Sequence, residues 1–353
     1  MRERLSVLVL GVGGNVGQGI LKALALASVP CRVVGACVSP LSFGLYTADR
    51  ALVSPLAADP SFLEWLIATC KEESIDAVLS GVEPVLDVLA EHADTIRRET
   101  GAVVVVSSRR CLDIGGDKLA TCQWLQDKGL NYPRFADAEQ PEAVEQLAAD
   151  VGFPLLAKPR RGKGSHGVLL ASTRDDLRYV ARAGGYVVQE NLGDPGQEYT
   201  AGCFCDRDGR VRGSIVMRRD LLEGTTVRAE TGDFPEVRAE AERLAAALGP
   251  AGPCNIQMRL HEGRAVCFEI NVRFSGTTPV RARLGYNEVE AALRHFVLGE
   301  PAVDLPRITQ GTMLRYWNEM YVSEEAKAQL THHGFLDRPR AHPIQLEDYG
   351  TRP

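Results

Sequence analysis

The sequence predicts an α/β protein in which an N-terminal doubly wound parallel sheet is followed by two α+β units. Three observations carry this. Between residues 5 and 106 short Val/Leu-rich runs alternate with amphipathic stretches, the order that parallel strands with crossover helices require. From about residue 110 the texture changes to paired apolar runs joined by glycine-bearing loops, which read as antiparallel hairpins. The 353 residues, 45% hydrophobic and 24% charged, suffice for two or three cores of ordinary globular composition.

Taken in order, SVLVLG, RVVGACV, DAVLSG and AVVVV are the buried strands of the first unit, and GILKALALA, SFLEWLIATCKEE and VLDVLAEHADTIRRE its helices. Residues 117–129 predict a helix, with Asp117 at its start and Gly129 as its stop signal. PLLAKP and VLLAS form a hairpin around the basic glycine loop RRGKGSHG. A helix follows that Thr173 or Asp175 caps and Gly184-Gly185 ends. EYTAGCFC and VRGSIVMRR form a second hairpin across Asp208-Gly209. Val237, Ala241, Leu244 and Leu248 recur at helical spacing before the last clear hairpin, CNIQMRL with AVCFEINVRF. Beyond residue 305 the signal weakens, and RYWNEMYV, residues 315–322, reads as a core strand in preference to an interface patch. The units so drawn are residues 1–108, 109–188, 189–305 and a C-terminal extension, 306–353.

A net charge of -6 with a pI near 5.7 argues against a broad nucleic-acid surface. The nine cysteines are odd in number and lie mostly in apolar runs, so they read as reduced core residues of a cytoplasmic protein. Cys203 and Cys205 lack the spacing and the partners of a zinc site. The apolar run near the N-terminus is short and enters a glycine turn, so neither a signal peptide nor a membrane span is expected.

Gly11, Gly13 and Gly17 follow a strand and open a helix, which permits close backbone approach to an anionic group. Their spacing departs from the dinucleotide fingerprint, and the next strand ends at Val38-Ser39 where that fingerprint needs an acidic residue. A nicotinamide oxidoreductase is thus a weakly supported alternative. The stretch 254–283 carries more. Glu269, Asn271 and Arg273 share a strand face, and a three-residue loop at 262–264 would put Gln257 opposite Glu269, whereas a two-residue loop would turn it away. Two amides and a carboxylate suit a magnesium ion shared with phosphates. Lys158 ends a strand just before the loop in which Gly162, Gly164 and Gly167 free the backbone and Arg160, Arg161 and Lys163 add charge. Further on, Gln189, Glu190, Leu192 and Glu198 offer backbone groups and a carboxylate of the kind a nucleoside needs.

The order Lys118, Lys158, glycine loop, QENL with Glu198, Gln257 and EINVR resembles the ATP-grasp superfamily, with details closest to its carbamoyl-phosphate-synthase-like branch. The resemblance covers residues 1 to about 300, and FEINVRFSGTTPVRARLGYNEVEAALR is its most specific part. It implies a pre-ATP-grasp domain (1–108), a lid subdomain (109–188) and a large subdomain (189–305) holding Mg-ATP. By position, Lys118 and Lys158 contact phosphates, residues 160–167 including Gly162, Lys163, Gly164 and Ser165 cover them, Glu190 and Leu192 flank the adenine, Gln189 is a further ATP-binding residue, and Glu198 holds the ribose. Gln257, Glu269 and Asn271 ligate two Mg²⁺, with Mn²⁺ able to substitute, and Arg273 stabilises the transferring phosphoryl group. The chain departs from many relatives in having Val272 after Asn271 in place of proline. The implied reaction forms an acyl phosphate from a small-molecule carboxylate and passes it to a nucleophile, preferably an amine, with ADP and phosphate as products. Gly13, Glu83, Arg281 and Arg283 are the candidate substrate contacts, the two arginines as a carboxylate clamp on an extended segment. Arg218, Arg219 and the turn Gly224-Thr225-Thr226 are placed facing the same cleft. The resemblance leaves a non-catalytic ATP-binding regulator and a homodimer open.

Overall fold

The computed structural model describes residues 4–162, 164, 166–193, 195–337 and 344–346. β1 (Leu5–Leu10), β2 (Cys31–Cys37), β3 (Arg50–Val53), β4 (Ala77–Ser80) and β5 (Val103–Val104) form a parallel sheet in the order 3-2-1-4-5. Its crossovers include α1 (Asn15–Ala25), α2 (Phe62–Glu72) and α3 (Glu83–Thr100). Val7, Leu8 and Val9 of β1 are wholly buried, as covered faces on both sides demand. The strand order reverses between β1 and β4, where Leu10 lies beside Ser80, so the turns after both strands open onto one crevice.

Two helices come next, α4 (Arg109–Gly116), which the sequence did not announce, and α5 (Lys118–Asp127). Asp117 between them caps α5, its carboxylate accepting from the Leu119 and Ala120 amides. The small antiparallel sheet contains β6 (Phe135–Asp137), β7 (Leu155–Pro159), β8 (Leu169–Ala171) and β9 (Tyr186–Glu190) in the order 6-9-7-8, with α6 (Pro141–Val151) and α7 (Arg174–Ala183). Thr173 caps α7 in a capping box with Asp176. The strand β9 runs to Glu190, past the boundary expected at 188.

β10 (Glu198–Cys205), β11 (Val211–Leu222), β12 (Thr225–Thr231), β13 (Gly252–His261) and β14 (Arg264–Asn271) build the large antiparallel sheet, order 14-13-10-11-12. α8 (Pro235–Leu248) covers one face through Val237, Ala241, Leu244 and Leu248, against Ala201, Cys203, Cys254 and Ile256. All nine cysteines are free thiols, and burial pushes that of Cys205 up to about 12. α4 and α5 pack on β14 of this sheet, and α5 also touches β9 of the small one. α9 (Thr278–Arg283) and α10 (Glu288–Ala292) then lead back to α1.

The segment after 305 is no appendage. β15 (Gly311–Leu314) extends the large sheet beyond β12; after β16 (Met320–Val322) and α11 (Glu324–His333), β17 (Phe335–Asp337) pairs antiparallel with β3 on the edge of the first sheet. The expected core strand at 315–322 is not one: Trp317 is 85% exposed, and Tyr316 and Tyr321 are exposed as well. No helix of the described residues is long and apolar enough to cross a membrane.

Gly202 in the middle of β10 exists for packing. A Cβ there would lie 1.5 Å from Nη1 of Arg281, which is buried against Glu288 at 3.3 Å. Gly202→Ala should therefore displace a buried ion pair and lower folding stability by about 3 kcal/mol. Chemical denaturation measures this, and an unchanged midpoint would mean that the helix carrying Arg281 can move away at little cost.

Candidate functional site

The candidate site begins with one irregularity. The β13–β14 turn has two residues, Glu262 and Gly263, both at positive φ (48° and 74°), as a tight hairpin requires. In regular register that loop would set Phe268 opposite Gln257 and turn Glu269 to the other face. A bulge absorbs Phe268: Met258 pairs with Cys267, but Gln257 pairs with Glu269 and Asn255 with Asn271. The face expected from a longer loop is thus reached by another route. Asn271 donates to Glu269 Oε1 at 2.8 Å and Gln257 at 3.3 Å.

The same sheet face carries Glu198 and Thr200 on β10, Arg219 on β11, and Asn255, Gln257 and Arg259 on β13, each two residues from the next on its strand. Burial there demands pairing. Glu198 is held by Arg219 at 2.9 Å and Arg259 at 3.0 Å, and Arg219 also donates to Gln257 Oε1 at 2.7 Å. Arg259 and Arg219 were not foreseen as a pair around Glu198; both continue the period-two pattern of polar residues and were legible there. Arg218 points the other way, to Glu230, so only Arg219 of the two lines the cleft, together with Gly224, Thr225 and Thr226.

Between this face and the small sheet lies a cleft that gathers Lys118, Lys158, Gly162, Gly164, Gln189, Glu190, Leu192, Glu198, Gln257 and Glu269. Lys163 and Ser165 lie outside the described residues. Lys118 Nζ donates to Gly162 O at 3.0 Å, and Asp117 grips Arg160 at 2.8 Å, so α5 and the glycine loop are tied at their start. Lys158 Nζ sits 4.9 Å from the Phe268 ring centroid. Desolvation pushes its pKa down to about 8, against the opposing pull of the Glu269 carboxylate. Gln189 is 1% exposed; its amide donates to Cys122 Sγ, and its Oε1 has no partner among the described residues. Glu190 Oε1 accepts from the Arg134 amide. Leu156, Val168, Leu221 and Phe268 supply apolar walls that the sequence reading missed, because alternate apolar residues on a strand look the same in a core. Gly164 abuts Gly224, where an added Cβ would lie 2.6 Å from the Gly164 Cα, so the loop closes on the β11–β12 turn.

A second cleft opens on the other side of Glu269, between the large sheet and the turns after β1 and β4. Gly11, Gly14, Asn15 and Gly17 line it, and α1 begins there without a side-chain cap. Gly13 does not line it; it packs toward Ser42 and Cys37. Arg273 reaches this cleft while its guanidinium is bound at 2.6 Å by Glu83, the first residue of α3. The expected arginine clamp does not form. Residues 278–283 are helical, which splays positions two apart; Arg281 is sealed inside with Glu288, Ser275, Thr277 and Asn255, while Arg283 is exposed.

Two family profiles match the chain: one described as ATP-grasp in the biosynthetic pathway with Ter operon, over residues 185–320, and one described as PylC-like, N-terminal domain, over residues 7–105. The carbamoyl phosphate synthase large chain of Deinococcus deserti is 26% identical over 306 residues, 78% of this chain and 29% of that protein, so the chain spans less than a third of that relative. N5-carboxyaminoimidazole synthetase from Staphylococcus aureus, solved with ADP, superposes with a TM-score of 0.68 at 13% identity, covering 94% of this chain and 86% of that one. Biotin carboxylase from Campylobacter jejuni gives 0.65 at 17% identity, over 85% and 73%.

Lys158 gives this cleft a pH signature. Below pH 8 it is a cation, and above that it loses its proton; a bound triphosphate favours the charged form and draws the pKa back up. Triphosphate binding at pH 8 should therefore take up protons, and affinity should fall as pH rises from 8 to 9. Calorimetry in buffers of different ionisation enthalpy reads the uptake, which Lys158→Met should abolish.

Proposed function

We propose, from the premise that the chain belongs to the ATP-grasp superfamily, that it is an ADP-forming ligase that activates a carboxylate as an acyl phosphate and joins it to an amine. The observation that carries this reading is that Glu269 lines both the nucleotide cleft and the second cleft, so one carboxylate stands where phosphate donor and acceptor would meet.

The residues fit a hard divalent ion held by oxygen donors. Among the described residues no three His, Cys, Asp or Glu side chains come together. The donors on offer are one carboxylate, whose Oε2 has no partner among the described residues, and the amides of Gln257 and Asn271. Such a lean set suits Mg²⁺ that keeps waters and phosphate oxygens in its shell. When bound, the ion would screen the charge between the β- and γ-phosphates.

The rest falls to the protein. Lys118 and Lys158 hold phosphate oxygens, the glycine loop excludes water, and Leu156, Leu192 and Phe268 provide the apolar surroundings a purine needs. Glu198 contributes to the ribose end only as part of its cluster with Arg219 and Arg259. The substrate carboxylate attacks the γ-phosphorus in line, ADP leaves, and the amine then displaces phosphate from the acyl carbon. Positioning and electrostatics account for the catalysis, with no nucleophilic side chain required. Arg273, swung from Glu83 to the transferring group, would leave Glu83 free to receive an ammonium.

The test follows the oxygen. Incubation with Mg-ATP, pooled ¹⁸O-labelled carboxylates and pooled amines should release ADP and carry label from carboxylate into phosphate. ADP release with unlabelled phosphate would rule out acyl-phosphate chemistry. Arg273→Ala should reduce turnover by about 10²–10³. Glu269→Gln should instead raise the magnesium concentration needed for half-maximal rate, and an unchanged magnesium dependence would remove Glu269 from the ion's shell.

A further inference from the structure

Asn255 occupies a position that the proposed chemistry has not yet used. It lies on β13 two residues from Gln257, on the same face and one cross-strand pair farther from the nucleotide cleft, opposite Asn271. Its side chain is 2% exposed, yet it lines the second cleft.

Its orientation is fixed. Oδ1 accepts from Thr200 Oγ1 at 2.9 Å and from Arg281 Nη2 at 3.3 Å. A guanidinium only donates, so the amide atom facing Arg281 must be the carbonyl oxygen. The other end, Nδ2, has no acceptor among the described residues and faces the cleft. Arg281, itself clamped by Glu288 and fitted over Gly202, thus serves to point an amide donor at whatever enters beside the Glu269 carboxylate. An amide donor that opens on a cleft without a protein acceptor offers a ligand oxygen a hydrogen bond. The helix N-terminus of α1, with Gly14 as an uncapped N-cap, faces the same space.

We propose that Asn255 is a specificity-determining residue that receives an oxygen of the acid to be phosphorylated, so that the second cleft admits an oxyanion and rejects a cation at that point. This rests on the ligase reading for the meaning of the cleft. It does not rest on that reading for the binding itself.

The conservative variant separates a substrate role from a structural one. Asn255→Asp keeps an oxygen for Thr200 and Arg281 but turns a second oxygen toward the cleft, an acceptor in place of a donor. We expect an unchanged thermal unfolding midpoint together with weakening of acid binding by about 10- to 100-fold. The direct readout needs no turnover and no variant. In ¹⁵N-labelled, Mg-ADP-loaded protein, the Asn255 side-chain amide is assigned through the backbone and followed while bicarbonate, formate, acetate and, separately, methylammonium are added. A saturable shift with an acid and none with methylammonium supports the assignment. An amide unmoved by all three acids, or moved by methylammonium, overturns it. Failure of Mg-ADP to perturb Lys158 or Glu269 would instead sink the nucleotide site, and the acid titration of the nucleotide-free protein would still decide the case of Asn255.

Discussion

The candidate site depends on one surplus residue. Phe268 has no partner across the β13–β14 ladder, and because it is skipped, Glu269 and Asn271 face the clefts instead of α8. The displaced ring is not idle. It forms part of the apolar wall of the first cleft and lies beside the Lys158 ammonium, helping to dry the environment that lowers its pKa. A tight two-residue turn and a bulge together achieve what a looser turn would have done less rigidly.

The face so created is polar and largely buried, a combination that is stable only when charges are paired. Glu198 between Arg219 and Arg259 answers this at one end, and Arg281 with Glu288 at the other. Between these two anchored clusters lie Gln257, Glu269, Asn255 and Asn271. The ends are paired, and in the middle Glu269 Oε2 and Asn255 Nδ2 have no hydrogen-bond partner among the described residues. That is the layout of a surface pre-organised to receive a charged ligand across its centre.

Much of this was legible in the sequence. The βα alternation gave the parallel sheet, Asp117 and Thr173 marked helix starts, and the period-two recurrence of Gln257, Glu269, Asn271 and Arg273 marked the polar strand face. What escaped did so for physical reasons. The strand β12, TTVRAET, has only Val227 and Ala229 as apolar residues, so it carries little strand signal beyond the turn that precedes it. Arg281 and Arg283 looked like a pair because extended chain was assumed where Pro279 opens a helix. The aromatic residues of 315–322 suggested a core because apolar surface usually lies inside, yet they stand in solvent. The bulge itself has no local signature. Only the requirement that two distant residues meet reveals it.

The C-terminal strands tie two of the sheets together. β15 is laced into the large sheet and β17 into the first sheet, so the chain passes through both bodies at its beginning and again near its end. The first sheet and the large sheet are thus joined by the chain at two places, after β5 and again between β15 and β17. The small sheet is held differently, entered before Phe135 and left after Glu190, with its glycine loop resting on Gly224. Access to the first cleft therefore depends on how the small sheet and its glycine loop sit, whereas the second is bounded by two sheets that the C-terminal strands tie together.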